Sequence, residues 1–95
     1  MREIFRYSLP ESADVEEVEE DVALAVFVAE CLHGRPQTRV EVAYYVSSDG
    51  RRCAVAVRGP AGESAARVFT GLCDARFGDA GFTVKRDPSV TAVQQ

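Results

Sequence analysis

The chain has 95 residues, of which 46% are apolar and none is tryptophan, and its net charge is −4. This length fits one small domain, and the apolar content excludes a wholly disordered chain. The acidic balance disfavours tight nucleic-acid binding and attachment to a membrane surface. No run is apolar for long enough to cross a membrane, and the first ten residues lack the apolar run of a secretory signal.

The three cysteines, Cys31, Cys53 and Cys73, occur in segments whose patterns predict burial. They are odd in number and stand some twenty residues apart. Such spacing is typical of reduced thiols rather than of a disulfide framework or a metal site. We therefore expect a cytoplasmic protein with no metal and no cofactor.

The first third of the chain predicts a strand followed by a long helix. Residues 2–9 alternate between apolar and polar side chains, the pattern of a half-buried strand. Asp14 is the expected helix N-cap, with a glutamate three residues on as in a capping box, and Ser12 is the competing cap. Gly34 is expected to end the helix, and Pro36 to prevent its continuation.

The remainder of the chain predicts a hairpin, a second helix and a last strand. Residues 39–46 and 52–58 alternate on either side of an Asp-Gly pair, a hairpin signal. A proline suits the first turn of the helix expected over residues 60–77, and residues 82–86 form a short final strand. The expected core-facing residues of this second helix are Ala65, Val68, Phe69, Leu72 and Ala75.

The resulting element order is β-α-β-β-α-β, an α+β arrangement. Over residues 2–87 this order resembles the ferredoxin-like split βαβ architecture. The resemblance implies a four-stranded antiparallel sheet with both helices on one face. We expect one domain over residues 1–88, with residues 89–95 as a tail or a short edge strand. Many unrelated functions share this architecture, so it implies none of them.

The predicted first helix carries apolar side chains on two opposite sides. One side has the spacing of a core-facing stripe and consists of Val15, Val18, Val22, Ala25, Ala29 and Leu32. The other side consists of Leu24, Phe27, Val28 and Cys31, and an acidic group precedes it that consists of Glu16, Glu17 and Glu20. Acidic residues near a helix N-terminus are favoured by the helix dipole, which does not explain an outward Phe27.

This second side is the predicted binding surface for another protein. Its apolar residues would anchor the partner, and its glutamates would steer it. The leading hypothesis is a small non-enzymatic interaction or assembly module, an adaptor that binds another protein or a second copy of itself.

The alternative surface is the sheet face turned away from the helices. Strand parity predicts a basic set there that consists of Arg2, Arg6, Arg39, Arg52, Arg58 and Lys85, together with Tyr45. Only Glu41 would oppose these charges. An open sheet face is normally polar, but this one would also suit an anion or a nucleic acid.

Two further functions stay open. The acidic helix could imitate nucleic-acid phosphates in a small inhibitor or immunity-type protein, or a pocket could use Tyr7, Tyr44 or His33 as a cofactor-free enzyme. His33 is expected chiefly to interact with the end of its helix. The loop at residues 59–64 opens a helix and could face an anion, but it has no following lysine and reads mainly as a turn.

Overall fold

The computed structural model describes residues 3–78 and 80–88, so that Arg2 and the predicted tail at residues 89–95 lie outside the described residues. Within them the chain forms four strands and three helices. In chain order these are β1 (Glu3–Ser8), α1 (Val15–His33), α2 (Arg35–Glu41), β2 (Val42–Val46), β3 (Arg52–Val57), α3 (Gly59–Phe77) and β4 (Thr83–Pro88).

The four strands form one antiparallel sheet in the order β2-β3-β1-β4. The central strand β1 pairs with β3 on one side and with β4 on the other, so that Tyr7 stands opposite both Cys53 and Val84. The sheet together with the helices confirms the predicted α+β class. No helix of the described residues is both long and apolar enough to cross a bilayer.

The core is formed by side chains of the central strands β1 and β3 and of helices α1 and α3. Tyr7 is buried at its centre, where its ring meets the ring of Phe69 edge-on at 4.8 Å between centroids. Its hydroxyl forms a 2.8 Å hydrogen bond with Thr70 Oγ1. The buried residues of this cluster are Tyr7, Leu9, Val18, Val22, Ala25, Cys53, Val55, Val57, Ala66, Phe69 and Cys73. Burial of large apolar side chains in this cluster is the main stabilising contribution to the fold.

Helix α1 begins and ends where the sequence predicts. Asp14 is the N-cap, and its side chain accepts a hydrogen bond of 3.3 Å from the Glu16 amide. Gly34 follows the helix with a φ of 93°, a conformation that glycine adopts without strain. One residue of the predicted core stripe is placed differently, because Leu32 in the last turn is 66% exposed.

A short second helix, α2, occupies residues that the alternation assigned to a strand. Pro36 does not stop the helical path, because it lies in the first turn of α2, where its missing N–H has no partner to lose. Thr38 is fully buried and donates its hydroxyl to the Gly34 carbonyl at 2.9 Å. Strand β2 therefore begins at Val42, and the prediction that residues 39–41 are strand is wrong.

The hairpin between β2 and β3 has the predicted Asp-Gly turn. The Gly50 amide donates to the Ser47 carbonyl at 3.0 Å, and Gly50 has a φ of 74°. A side chain at this position would also collide with the backbone of Val15, since an added Cβ would lie 2.7 Å from its nitrogen. Glycine is thus required both by the turn and by the approach of α1.

Candidate interaction surface

The outer side of α1 exposes large apolar side chains in the folded chain. Leu24 is 47% exposed and Phe27 is 59% exposed, while Val18 and Val22 on the other side of the helix are buried. Cys31 continues the exposed line, and Val28 is half-buried. We call Leu24, Phe27 and Cys31 the α1 apolar patch.

The acidic residues in the first half of α1 have two different roles. Asp21 is buried and accepts two hydrogen bonds from Arg76 of α3, at 2.8 Å from Nε and 3.0 Å from Nη2. Glu17 contacts the same guanidinium at 3.3 Å instead of completing a capping box. Glu16 and Glu20 are exposed, and within the described residues they form no ion pair. These two carboxylates face solvent on the helix that carries the α1 apolar patch.

The predicted basic set does not assemble on one sheet face. Arg39 lies in α2, and Arg58 follows β3 as the N-cap residue of α3. Among the described members of the set, Arg6, Arg52 and Lys85 occupy strand positions on that face by register, and Arg2 lies outside the described residues. Arg6 is already paired with a carboxylate, since its Nε lies 3.2 Å from Asp87 Oδ2. Glu41 does not oppose them, as it is the last residue of α2.

The middle of this face is apolar instead. A shallow cavity of about 230 Å³ lies there, and it is lined by Ile4, Arg6, Ala43, Tyr44, Tyr45, Ala54 and Ala56. Tyr45 is 64% exposed at its border. The three alanines are small, so that the face is open enough for a neighbouring side chain to approach the backbone.

The backbone amides that open α3 are occupied by a carboxylate of the chain itself. Glu41 Oε1 accepts hydrogen bonds from the Ala61 amide at 2.8 Å and from the Gly62 amide at 3.4 Å. Gly59 has a φ of 71°, and an added Cβ there would lie 2.5 Å from the Glu41 carboxylate. The loop at residues 59–64 therefore does bind an anionic group, and that group is Glu41.

His33 contacts a residue that sequence reasoning did not single out. Its Nε2 lies 2.9 Å from Ser64 Oγ, which joins the last turn of α1 to the first turns of α3. Within the described residues no carboxylate hydrogen-bonds to the ring, so the pair lacks the third group that orients a catalytic histidine. Tyr7 is buried in the core and Tyr44 lies on β2, so the three candidate catalytic residues occupy three separate elements.

A second cavity of about 320 Å³ lies beside α3, and it is lined by Phe5, Glu63, Ala66, Arg67, Thr70 and Arg86. Arg86 lies over the Phe5 ring at 5.5 Å and donates two hydrogen bonds to Glu3, at 2.7 and 2.9 Å. Arg67 lies 3.9 Å from Glu63. Each cation of this cavity has an acidic partner, so its charge does not select an anionic ligand.

No group of three or more His, Cys, Asp or Glu side chains in the described part of the chain is arranged to hold a metal ion. The chain matches no protein-family model, and no curated protein matches it in sequence.

Proposed function

We propose that the chain is a small protein–protein interaction module without catalytic activity, which binds a partner protein through the outer side of α1. The observation that carries the proposal is the exposure of Leu24 and Phe27 on one side of a helix whose other side is buried from Val18 to Ala29. Exposed large apolar side chains that lie next to each other are typical of interfaces. The three free cysteines are consistent with a reducing, cytoplasmic location, which is part of the proposal.

The scaffold in this proposal is the ferredoxin-like architecture. The antiparallel sheet order β2-β3-β1-β4 supports it, and so do the two crossovers, in which α1 leads from β1 to β2 and α3 leads from β3 to β4. The short α2 is an addition to that element order. In this arrangement α1 packs with one side on the core, and its opposite side is available to a partner.

The chemistry of the surface selects a partner with an apolar groove bordered by basic groups. Phe27 and Leu24 would enter the groove, and Glu16 and Glu20, which precede them on the helix, would pair with the basic rim. Rim charges of this kind chiefly raise the association rate and make it dependent on salt. A basic nucleic-acid-binding partner would agree with the inhibitor or immunity-type alternative, in which the acidic helix imitates phosphates.

The direct test uses a photo-crosslinking amino acid at Phe27 in cells of the source organism. The matched control places the same amino acid at Val84, an apolar residue of β4 that is 42% exposed. We expect adducts with a basic protein from position 27 and not from position 84. Reversal of Glu16 and Glu20 to lysine should remove those adducts.

A second test measures affinity in vitro. The probe is a synthetic helical peptide with a leucine face bordered by lysines. Phe27→Asp should weaken its binding about tenfold or more, while Val84→Asp should leave it unchanged. The free energy of unfolding of both variants should lie within about 0.5 kcal/mol of that of the parent protein. If Phe27→Asp instead unfolds the domain, or if both variants bind the peptide like the parent protein, the proposal is wrong.

A further inference from the structure

The two edges of the sheet differ in their chemistry. The edge strand β4 contains Lys85, Arg86, Asp87 and Pro88, the residue types that prevent one sheet edge from pairing with another. The opposite edge strand, β2, has the sequence VAYYV with no charge, no proline and no glycine. Its Tyr44 is 51% exposed and its Tyr45 is 64% exposed. An unprotected apolar edge is typical of a strand that pairs with another chain.

The backbone of β2 has hydrogen-bonding groups on its outer side. The Ser47 amide donates to the Arg52 carbonyl at 2.8 Å, and the Glu41 carbonyl accepts from the Arg58 amide at 3.0 Å. Odd-numbered residues therefore direct their backbone groups to β3, and alternation directs those of Val42, Tyr44 and Val46 outward. The Val42 amide is bonded to the Thr38 carbonyl at the end of α2. Among the described residues, β3 is the only strand that pairs with β2.

We propose that β2 pairs antiparallel with β2 of a second copy of this chain, about a two-fold axis at Tyr44. In this register the two Tyr44 residues exchange reciprocal N–H to C=O bonds. Each Val46 amide then donates to the Val42 carbonyl of the other copy. The Val42 amide already donates to the Thr38 carbonyl of α2, so it is the one outward donor of β2 that forms no bond to the other copy. The two sheets join into one continuous sheet, and the symmetric contact closes at the dimer.

The side chains of this register complement one another. Ala43 of one copy stands opposite Tyr45 of the other, in the closer, non-hydrogen-bonded type of pair. Both residues lie on the open sheet face, where Ala43, Ala54 and Ala56 line the cavity of about 230 Å³. The Tyr45 ring of the second copy therefore finds small side chains beneath it. The strand carries no charge, so no charged side chain of β2 stands opposite another in this register.

Sedimentation equilibrium of the full chain over a wide range of concentration tests the proposal. The informative variant is Tyr44→Pro, because proline removes an amide that points to solvent in the monomer and is tolerated on an edge strand. We expect the parent protein to dimerise and Tyr44→Pro to raise the dissociation constant by roughly tenfold or more. Tyr44→Lys should do the same by placing like charges opposite each other. Val84→Lys on β4 is the matched control and should dimerise like the parent protein.

The register is tested by disulfide trapping in a Cys31→Ser background. Tyr44→Cys should form a covalent dimer under mild oxidation, because residues facing each other in a hydrogen-bonded pair are within disulfide range. Val84→Cys should not. A protein that stays monomeric at every concentration overturns the proposal. So does a dimer that survives both Tyr44 variants, is broken by Phe27→Asp, or is lost on truncation after Pro88, since each places the contact elsewhere. A dimer that Phe27→Asp breaks would place the contact on α1 and support a binding role for that helix. The other outcomes leave the proposed partner of α1 untested, so the two proposals can fail separately.

Discussion

Glu41 supplies the negative charge that the first turn of α3 attracts. Its carboxylate accepts from the amides of Ala61 and Gly62, and these amides have no partner within the helix itself. The glutamate is thus an N-cap equivalent that comes from another element. Because this position is filled, the start of α3 is an internal contact between α2 and α3 and is not a site for phosphate.

The cap is tested by removal of the Glu41 carboxylate. Glu41→Ala should lower the free energy of unfolding by about 1–2 kcal/mol, because two buried amides lose their acceptor. Glu63→Ala is the matched control, as this exposed glutamate of α3 makes only a 3.9 Å contact with Arg67. Urea unfolding curves measure both. Equal losses in the two variants would contradict the capping role.

At this scale the sequence left the anion contact at the start of α3 as a minor possibility, and it did not indicate Glu41. The glycines and proline at residues 59–62 indicate a helix start that favours an anion. Glu41 lies twenty residues earlier, and its alternation with Val40 and Val42 fits a strand equally well. Only the turn that α2 adds brings its carboxylate to α3. The pairing of His33 with Ser64 was unpredictable for the same reason, because it depends on how two helices meet.

Helices α1 and α3 are joined by a polar contact beside the core. Asp21 is one of two polar residues buried among the described residues, and Arg76 binds both of its oxygens. This hydrogen bond raises the pKa of Arg76 above its ordinary value. A bidentate pair fixes the rotation and register of one helix on the other. It therefore helps to decide which side of α1 is left exposed.

Removal of Asp21 tests that role. Asp21→Ala should lower the free energy of unfolding by about 1–3 kcal/mol, since it leaves a partly buried guanidinium without its main acceptor. Arg67→Ala breaks the exposed pair with Glu63 and should change stability by about 0.5 kcal/mol or less. Thermal and urea unfolding of the two variants provide the comparison. The prediction fails if Asp21→Ala is as mild as its control.

The elements predicted from periodicity were those whose buried and exposed sides differ most. The two long helices and the hairpin have such patterns, and each has a cap or turn residue at its ends. Residues 39–41 were misassigned because the alternation of Val40, Val42 and Tyr44 is continuous, although a helix ends at Glu41 and the strand begins only at Val42. Ala75 was expected in the core of α3 and is exposed, because the buried side of that helix is centred on Ala66, Phe69 and Cys73.

The core of the molecule contains three weakly acidic groups, which make its stability sensitive to alkaline pH. Burial raises the pKa of Tyr7 from 10.0 to about 12, and burial also raises the pKa of the Cys53 and Cys73 thiols from 9.0 to about 12. A group whose pKa is higher in the folded chain stabilises that chain while it is protonated. Its contribution to stability is complete below the pKa that the group has in the unfolded chain. That contribution is lost as the pH rises towards the pKa that it has in the folded chain.

The free energy of unfolding should therefore fall between pH 9.0 and about pH 12. Urea unfolding at a series of alkaline pH values measures this slope. Cys73→Ala should make the slope shallower, because one of the three groups is gone. Cys31→Ala, at an exposed thiol, should leave it unchanged. Identical slopes in the two variants would contradict a role for the buried thiols.

Of the two candidate surfaces of the molecule, the sequence predicted the outer side of α1 better than the basic sheet face. The α1 apolar patch follows from helical periodicity, since Phe27 lies opposite Val18 and Val22 at 100° per residue whatever the rest of the fold. The basic sheet face depended on the length and register of β2. Because β2 begins at Val42, Arg39 lies in α2 and not on the sheet. The centre of that sheet face is apolar and is formed by Ile4 and the alanines.

The distribution of the tyrosines has a spectroscopic consequence. The chain has three tyrosines and no tryptophan, so its near-ultraviolet emission comes from Tyr7, Tyr44 and Tyr45. Tyr7 is enclosed against Phe69, whereas the other two rings stand in solvent on one edge strand. With Tyr44 and Tyr45 both replaced by phenylalanine, the remaining emission reports the core alone. With Tyr7 replaced instead, it reports the edge, so that unfolding and strand pairing each acquire an intrinsic optical signal.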